Sequence, residues 1–203
     1  MMEPDSTTFN SQLSPLNPPD AFHPPSSDNI AIDDLHPYLR QLAGEHEAIR
    51  LALKKFEETI MAIKEKGVTK EVNNALKDFF QFFNEELMAH MKREEKDLFP
   101  ILTQALNNKR KGSSFEGVTT AVDVMEEDHL KAVQLTVVIF NFFGLVARLN
   151  DQVSRDLVMD AALAEADQLI ELLRLHIFRE ETIIFPFIHK SVDIKELNCL
   201  QDN

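Results

Sequence analysis

The sequence predicts an all-α fold: an up-down-up-down four-helix bundle behind a disordered N-terminal tail. Three observations point there. Apolar residues recur at three- and four-residue intervals along four long segments. The period-two alternation of strands is absent, and after Asp33 only Gly44, Gly67, Gly112, Gly117 and Gly144 interrupt the chain with glycine. The chain also repeats itself: HMKREEKDLFP at 90–100 aligns with HIFREETIIFP at 176–186, with six identities in eleven positions. Four amphipathic helices joined by short links bury their stripes against one another as a bundle.

The elements follow in order. Six of the nine prolines fall within the first 25 residues, spaced by Ser, Asn and Asp. Residues 1–32 therefore read as a disordered, proline-rich tail that buries too little apolar surface to offset its ordering entropy. The bundle is expected over 33–191 and a C-terminal tail over 192–203. Leu35, Leu39, Leu42, His46, Ile49, Leu53, Phe56, Ile60 and Ile63 mark one face of the first helix. Asp33 or Asp34 can cap it, Pro37 suits its first turn and Gly67 its end.

A second helix is expected over about 69–106, with Leu76, Phe80, Phe83, Leu87, His90, Glu94, Leu98 and Ile101 on its buried face. NNKRKGSSFEG at 107–117 is a loop by composition. The third helix covers roughly 118–149, with Val122, Met125, His129, Ala132, Thr136, Ile139, Phe143 and Val146 inward. The fourth covers roughly 154–191, with Leu169, Leu173, His176, Glu180, Ile183 and Phe187 inward. Pro100 and Pro186 should kink or end their helices, shaping one end of the bundle.

Composition narrows the function classes. The 203 residues suit one domain, which at this size buries roughly 70% of its unfolded surface. Lys and Arg number 21 against 34 Asp and Glu, a formal charge of −13. That balance argues against nucleic acid and against an anionic membrane surface as partners. No apolar run approaches the ~20 residues of a spanning helix. The opening MMEPDSTTFN has neither the basic nor the apolar region of a signal peptide. Cys199 is the single cysteine, which suits a reducing compartment, so the expected location is the cytoplasm.

The chemistry is carried by four histidines and two glutamates on otherwise apolar faces. His90 and Glu94 are four residues apart, as are His176 and Glu180, so each pair projects from one face of its helix. Antiparallel hairpins bring His46 towards the first pair and His129 towards the second. Burying two carboxylates without partners costs several kcal/mol each, and no Lys or Arg lies on these faces. Metal cations are the natural compensation. Imidazole with carboxylate suits iron, zinc, manganese or copper. Six protein donors exceed one tetrahedral zinc site. Two ions fit better, each held by two histidines with both carboxylates bridging; a solvent-derived oxo or hydroxo bridge would still leave room for an exogenous ligand.

The residues His46, His90-Met-Lys-Arg-Glu94 with Leu98-Phe99-Pro100, His129, and His176-Ile-Phe-Arg-Glu180 with Phe185-Pro186 resemble the hemerythrin family in its HHE cation-binding branch. The resemblance covers about residues 34–191. It implies a four-helix bundle around a non-haem di-iron centre that binds dioxygen, nitric oxide or peroxide; by donor chemistry alone zinc or manganese remain possible. It also implies His46, His90, Glu94, His129, His176 and Glu180 as the metal ligands. Oxygen-carrying members have a fifth histidine one turn after that of the third helix, where this chain has Val133. Their last carboxylate lies five residues after the final histidine, at Glu181 here, whereas the internal repeat favours Glu180. With four histidines the pattern is closer to members involved in iron sensing, iron–sulfur cluster repair or peroxide handling. Three readings are therefore carried: binding, sensing or storage of O2, NO, peroxide or iron; di-iron catalysis that decomposes peroxide or oxygenates a small substrate; or a structural bundle with a zinc or mixed-metal site.

The remaining polar residues have plainer readings. His23 belongs to the tail, His36 starts a helix, and His189 suits the C-terminal dipole of the fourth helix. Glu95, Arg93, Arg179 and Glu181 are read as surface pairs rather than as groups orienting the imidazoles. The phenylalanines at 79, 80, 82, 83, 140, 142 and 143 outnumber what one face can bury, so some are expected to line a gas route or a partner surface.

Overall fold

The computed structural model describes residues 30–109 and 119–201. Most of the proline-rich tail, His23 with it, and most of the 107–117 loop lie outside the described residues. Among the described residues there is no strand. Helix α1 spans Pro37–Lys66. Helix α2, residues 70–109, is a continuous run built of Lys70–Phe82, Phe83–Leu87, Met88–Arg93, Glu94–Leu98 and Phe99–Lys109. Helix α3 spans Ala121–Val146. Helix α4, residues 152–191, is built of Gln152–Arg179, Glu180–Ile184 and Phe185–Ser191. A short α5, Ile194–Gln201, follows. The first four form the bundle, with α1 against α2 and α4, and α3 against α4.

Helix starts follow local chemistry. Thr69 caps α2 by accepting from the Val72 N–H at 3.3 Å, and Asp151 caps α4 by accepting from the Ser154 N–H at 2.8 Å. Thr120 and Asp123 exchange bonds of 3.1 and 2.6 Å in a capping box that opens α3. The cap of α1 is His36, whose Nδ1 accepts from the Tyr38 N–H at 3.3 Å. Asp33 and Asp34 sit one turn too early to cap it, in a single 3-10 turn, Ile32–Asp34. Gly67 ends α1 with a positive φ of 74°, its N–H bonded to the Ile63 carbonyl at 2.9 Å.

Helices α2 and α4 do not end at their prolines. Directly before each, the chain widens into a π-turn: the Phe99 N–H bonds to the Glu94 carbonyl, and the Phe185 N–H to the Glu180 carbonyl. A wide turn relieves the clash between the proline ring and the preceding turn, so the helix continues. It also inserts one residue into the helical phase. The buried positions beyond the turns are therefore Phe99 and Leu102 in place of Ile101, and Ile184, Phe185 and Ile188 in place of Ile183 and Phe187. A third wide turn, Phe83–Leu87, has no proline after it.

The segment 192–203, expected as a tail, carries α5, because Leu197 has an apolar cluster to bury itself in. Asn198 Oδ1 lies 3.0 Å from His36 Nε2, and the His36 N–H donates to His189 Nδ1 at 3.0 Å. His36 thus starts α1 as expected and also latches the chain's end to it. Helix α3 is, by length and composition, apolar enough to cross a membrane, contrary to the run-length reading of the sequence. It carries His129 inward and packs along α4, as a helix of the bundle. Its Phe140 is exposed, with its ring edge against Phe80; Phe79 and Phe83 are buried.

The core divides in two. One apolar cluster contains Ile49 to Ile63, Leu87, Met91, Ala132, Ile139 and Leu163 to Ile177. The other contains Leu35 to Ala43, Leu98, Phe99, Leu102, Val122, Met125, Ile184 and Ile188. The clusters meet at His46, between Ala43 and Ile49, at Glu94, between Met91 and Leu98, at His129, between Met125 and Ala132, and at Glu180, between Ile177 and Ile184; His90 and His176 stand one turn earlier on their helices, at the edge of the first cluster. In the first cluster Phe56 stacks on Phe79 with centroids 3.7 Å apart. Phe56→Ala is expected to cost about 3–5 kcal/mol of stability while leaving metal stoichiometry unchanged, which urea unfolding and metal counting would check.

Candidate metal centre

All six sequence-selected residues come together in the polar layer. His46 comes from α1, His90 and Glu94 from α2, His129 from α3, and His176 and Glu180 from α4; all six are buried, with Glu94 and Glu180 at 0% exposure. The four-residue spacing on α2 and α4 aims each imidazole and carboxylate inward from the same face. Donor atoms of His46, His90, Glu94 and Glu180 lie within 4.8 Å of one another, and so do those of Glu94, His129 and His176.

The carboxylates straddle the two halves of the bundle. Glu94 lies 3.1 Å from His90 Nε2 through one oxygen and 3.3 Å from His129 Nε2 through the other. Glu180 lies 3.2 Å from His46 Nε2 through one oxygen and 3.4 Å from His176 Nε2 through the other. The His129 and His176 Nε2 atoms are 3.1 Å apart.

Around the six stands an acidic shell on the outward Nδ1 atoms. His46 Nδ1 donates to Glu181 at 2.8 Å, His90 Nδ1 to Glu45 at 2.7 Å and His129 Nδ1 to Glu95 at 2.9 Å. Asp128 stands 3.5 Å from His176 Nδ1. Arg50 grips Glu181, Arg93 holds Glu45 at 2.5 Å, and Arg179 holds Asp128 at 2.7 Å. Glu95, Glu181, Arg93 and Arg179 are therefore not mere surface pairs: the helices pack closely enough for the outer imidazole nitrogens to reach them. A carboxylate on Nδ1 fixes the ring and makes its Nε2 a better donor.

The shell follows the internal repeat and crosses it. The acid just before the first histidine of each half, Glu45 or Asp128, faces the second histidine of that half. The acid just after each inner glutamate, Glu95 or Glu181, faces the first histidine of the opposite half. The phenylalanine before each proline also crosses: Phe99 stacks on His129 at 5.5 Å and Phe185 on His46 at 5.6 Å. Glu45 and Asp128 were missed in the sequence, although the matched dipeptides Glu45-His46 and Asp128-His129 carry the signal.

Without cations the layer is electrostatically strained. Burial opposes a charge on His90, but Glu45 and Glu94 outweigh it and raise its pKa to about 10. Burial also opposes a charge on Glu94, yet His129 and His90 hold it well below the usual carboxylate range. Burial and the neighbouring Glu94 charge push Glu180 above that range. The Nε2 atoms of His46 and His90 and all four oxygens of Glu94 and Glu180 are buried without a hydrogen-bond partner. Six orphaned donors converging in an apolar core fit metal cations, since leaving them unpaired would cost several kcal/mol.

A bundle with a histidine–carboxylate layer across its core defines a class of metal-binding helical proteins, and the chain belongs to it: residues 35–188 match the hemerythrin HHE cation-binding domain, and the protein is a member of the hemerythrin family. It is 30% identical over 115 residues to the iron–sulfur cluster repair protein YtfE of Enterobacter sp. (strain 638). That alignment covers 57% of this chain and 47% of the relative, so the chain spans about half the length of the curated protein it matches. No solved structure matches the chain.

Proposed function

We propose that this chain is a non-haem di-iron protein that binds or senses O2, NO, peroxide or iron at an open centre. The observation that carries the proposal is the pair of donor groups sharing Glu94, one around His46 and His90 and one around His129 and His176. Glu94 and Glu180 each offer one oxygen to each group. Nitrogen and oxygen donors without thiolate suit iron, zinc, manganese or copper, and the similarity to an iron–sulfur cluster repair protein supports iron among them. When bound, the iron pair supplies Lewis acidity and redox change to a small ligand. The chain's own part is to hold the imidazoles in a dry layer between two apolar cores and to leave donor positions unfilled. Val133, one turn after His129, is half-buried against the core and offers no donor. A cytoplasmic setting belongs to the proposal, because a reducing compartment keeps Cys199 as a thiol and iron ferrous.

Anaerobic reconstitution followed by metal counting tests the reading, and two irons per chain are expected. Azide added to the oxidised protein should then give a new ligand-to-metal charge-transfer band. Val133→His supplies a donor at the open position, so the band should weaken in that variant. One zinc per chain with no iron uptake would overturn the di-iron assignment. Fully loaded protein that responds spectrally to neither azide, nitric oxide nor peroxide would overturn the open centre.

A further inference from the structure

The two halves of the centre are related by the internal repeat but are not equivalent. Glu94 and Glu180 each reach both sides, but the donor atoms of four residues gather within 4.8 Å of one another around His46 and His90, whereas around His129 and His176 three do so and Glu180, 3.4 Å from His176 Nε2, stands outside that set. Support on the outer nitrogens differs in the same direction. His46 and His90 donate to Glu181 and Glu45 at 2.8 and 2.7 Å, and each of those acids is clamped by an arginine, Arg50 and Arg93. His129 donates at 2.9 Å to Glu95, which is 48% exposed, against 13% for Glu181, and no arginine bond to Glu95 is formed among the described residues. His176 has no hydrogen bond at Nδ1 at all: the atom is buried and unpartnered, with Asp128 3.5 Å away. The cause is one methylene group. Asp128 occupies the repeat position of Glu45, and its shorter side chain, held by Arg179 at 2.7 Å, stops short of the ring.

We propose that the centre binds its two metal ions in separate steps: a tight one at His46 and His90, and a weaker, exchangeable one at His129 and His176, with Asp128 as the positioning residue that sets the difference. This rests on the two-ion reading above. An unanchored imidazole is a poorer and less oriented donor, and losing such an anchor typically lowers metal affinity about 10–100-fold. The second ion is then the one that leaves first and the one with the more open coordination, so small ligands and metal exchange both act on the α3–α4 side of the bundle.

Cobalt(II) is a suitable probe, because it takes the same imidazole and carboxylate donors and reports its coordination optically. Titrating the metal-free full chain against a competing chelator should resolve two steps about 10–100-fold apart, with a different visible spectrum in each. Limited chelator should leave one ion per chain. His129→Ala should retain one tightly held ion, and His46→Ala should hold none with that affinity. Asp128→Glu restores the reach of Glu45 and should tighten the second step about tenfold without changing the first. That is a step-specific effect which a merely structural role would not produce. Two ions bound with indistinguishable affinity and spectrum would overturn the proposal and leave the two-ion reading intact. A tight ion that survives in His46→Ala but not in His129→Ala would reverse the assignment. Saturation at one ion per chain in the unaltered protein would overturn the two-ion reading itself. If Asp128→Glu fails to fold by circular dichroism, chelator extraction of the unaltered chain still decides.

Discussion

Replacing Glu94 or Glu180 with alanine is expected to empty the whole centre, not half of it. Each carboxylate faces one histidine of each half, Glu94 between His90 and His129 and Glu180 between His46 and His176, so one substitution removes a donor from both groups. Glu95→Ala and Glu181→Ala remove only an outer anchor and should retain metal with affinity lowered about 10–100-fold. Metal counting after gel filtration separates the two patterns. The losses need not reflect misfolding. Glu180 is fully buried, and its pKa is pushed up by burial and by Glu94, so its removal relieves a desolvated charge in the metal-free protein. Glu180→Ala is therefore expected to melt no lower than unaltered metal-free protein. If Glu181→Ala empties the site and Glu180→Ala keeps it, the five-residue spacing of the oxygen carriers applies and the ligand assignment is reversed.

Metal loading is expected to raise the melting temperature by about 10 °C. Metal at about a thousand times its dissociation constant stabilises by about 4 kcal/mol, and each kcal/mol moves a domain of this size by about 2–4 °C. The gap between loaded and metal-free protein should widen as pH rises from 6 to 9, for two reasons. His90 titrates near 10 in the metal-free fold, above its ordinary 6.5. Its contribution to metal-free stability is fully present below 6.5 and is lost as pH rises towards 10. Glu180 is also raised, so its contribution is present below the usual carboxylate value and lost as pH rises through its folded value. Glu94 is lowered, and its contribution is lost only as pH falls into the acid range. At the same time the proton on His90 competes with metal less and less as pH rises. As pH falls, the proton returns to His90 and the gap should narrow. Calorimetry of both forms across this range measures it; equal melting temperatures at pH 8 would mean that no metal is held in the core.

The two expectations share an origin in the construction of the core. A layer of six polar side chains across a bundle divides its hydrophobic interior into two clusters. Such a layer weakens the metal-free protein and makes the metal part of the fold. The acidic shell then does two things. It orients the imidazoles, and through Arg50, Arg93 and Arg179 it ties the layer to the outer faces of α1, α2 and α4.

What the sequence by itself determined is local and periodic. The 3–4 spacing of apolar residues places His46, His90, Glu94, His129, His176 and Glu180 on the buried faces of four helices. The internal repeat chooses Glu180 over Glu181 as the inward carboxylate, and Glu180 is the fully buried one. These follow because side-chain direction on a helix is set by residue number alone. Where the phase itself changes, the reading slips. The π-turns at Glu94–Leu98 and Glu180–Ile184 insert a residue, and burial passes from Ile101 to Leu102 and from Phe187 to Ile188. What only the tertiary structure decided is which residue meets which across the bundle. Glu181 reaches His46 and Glu95 reaches His129, Phe185 and Phe99 stack on those same two rings, and Asp128 falls short of His176. Such pairings depend on how far apart the helices pack and at what height each side chain stands. Those are sums over many contacts between distant segments, and no periodicity within one helix encodes them.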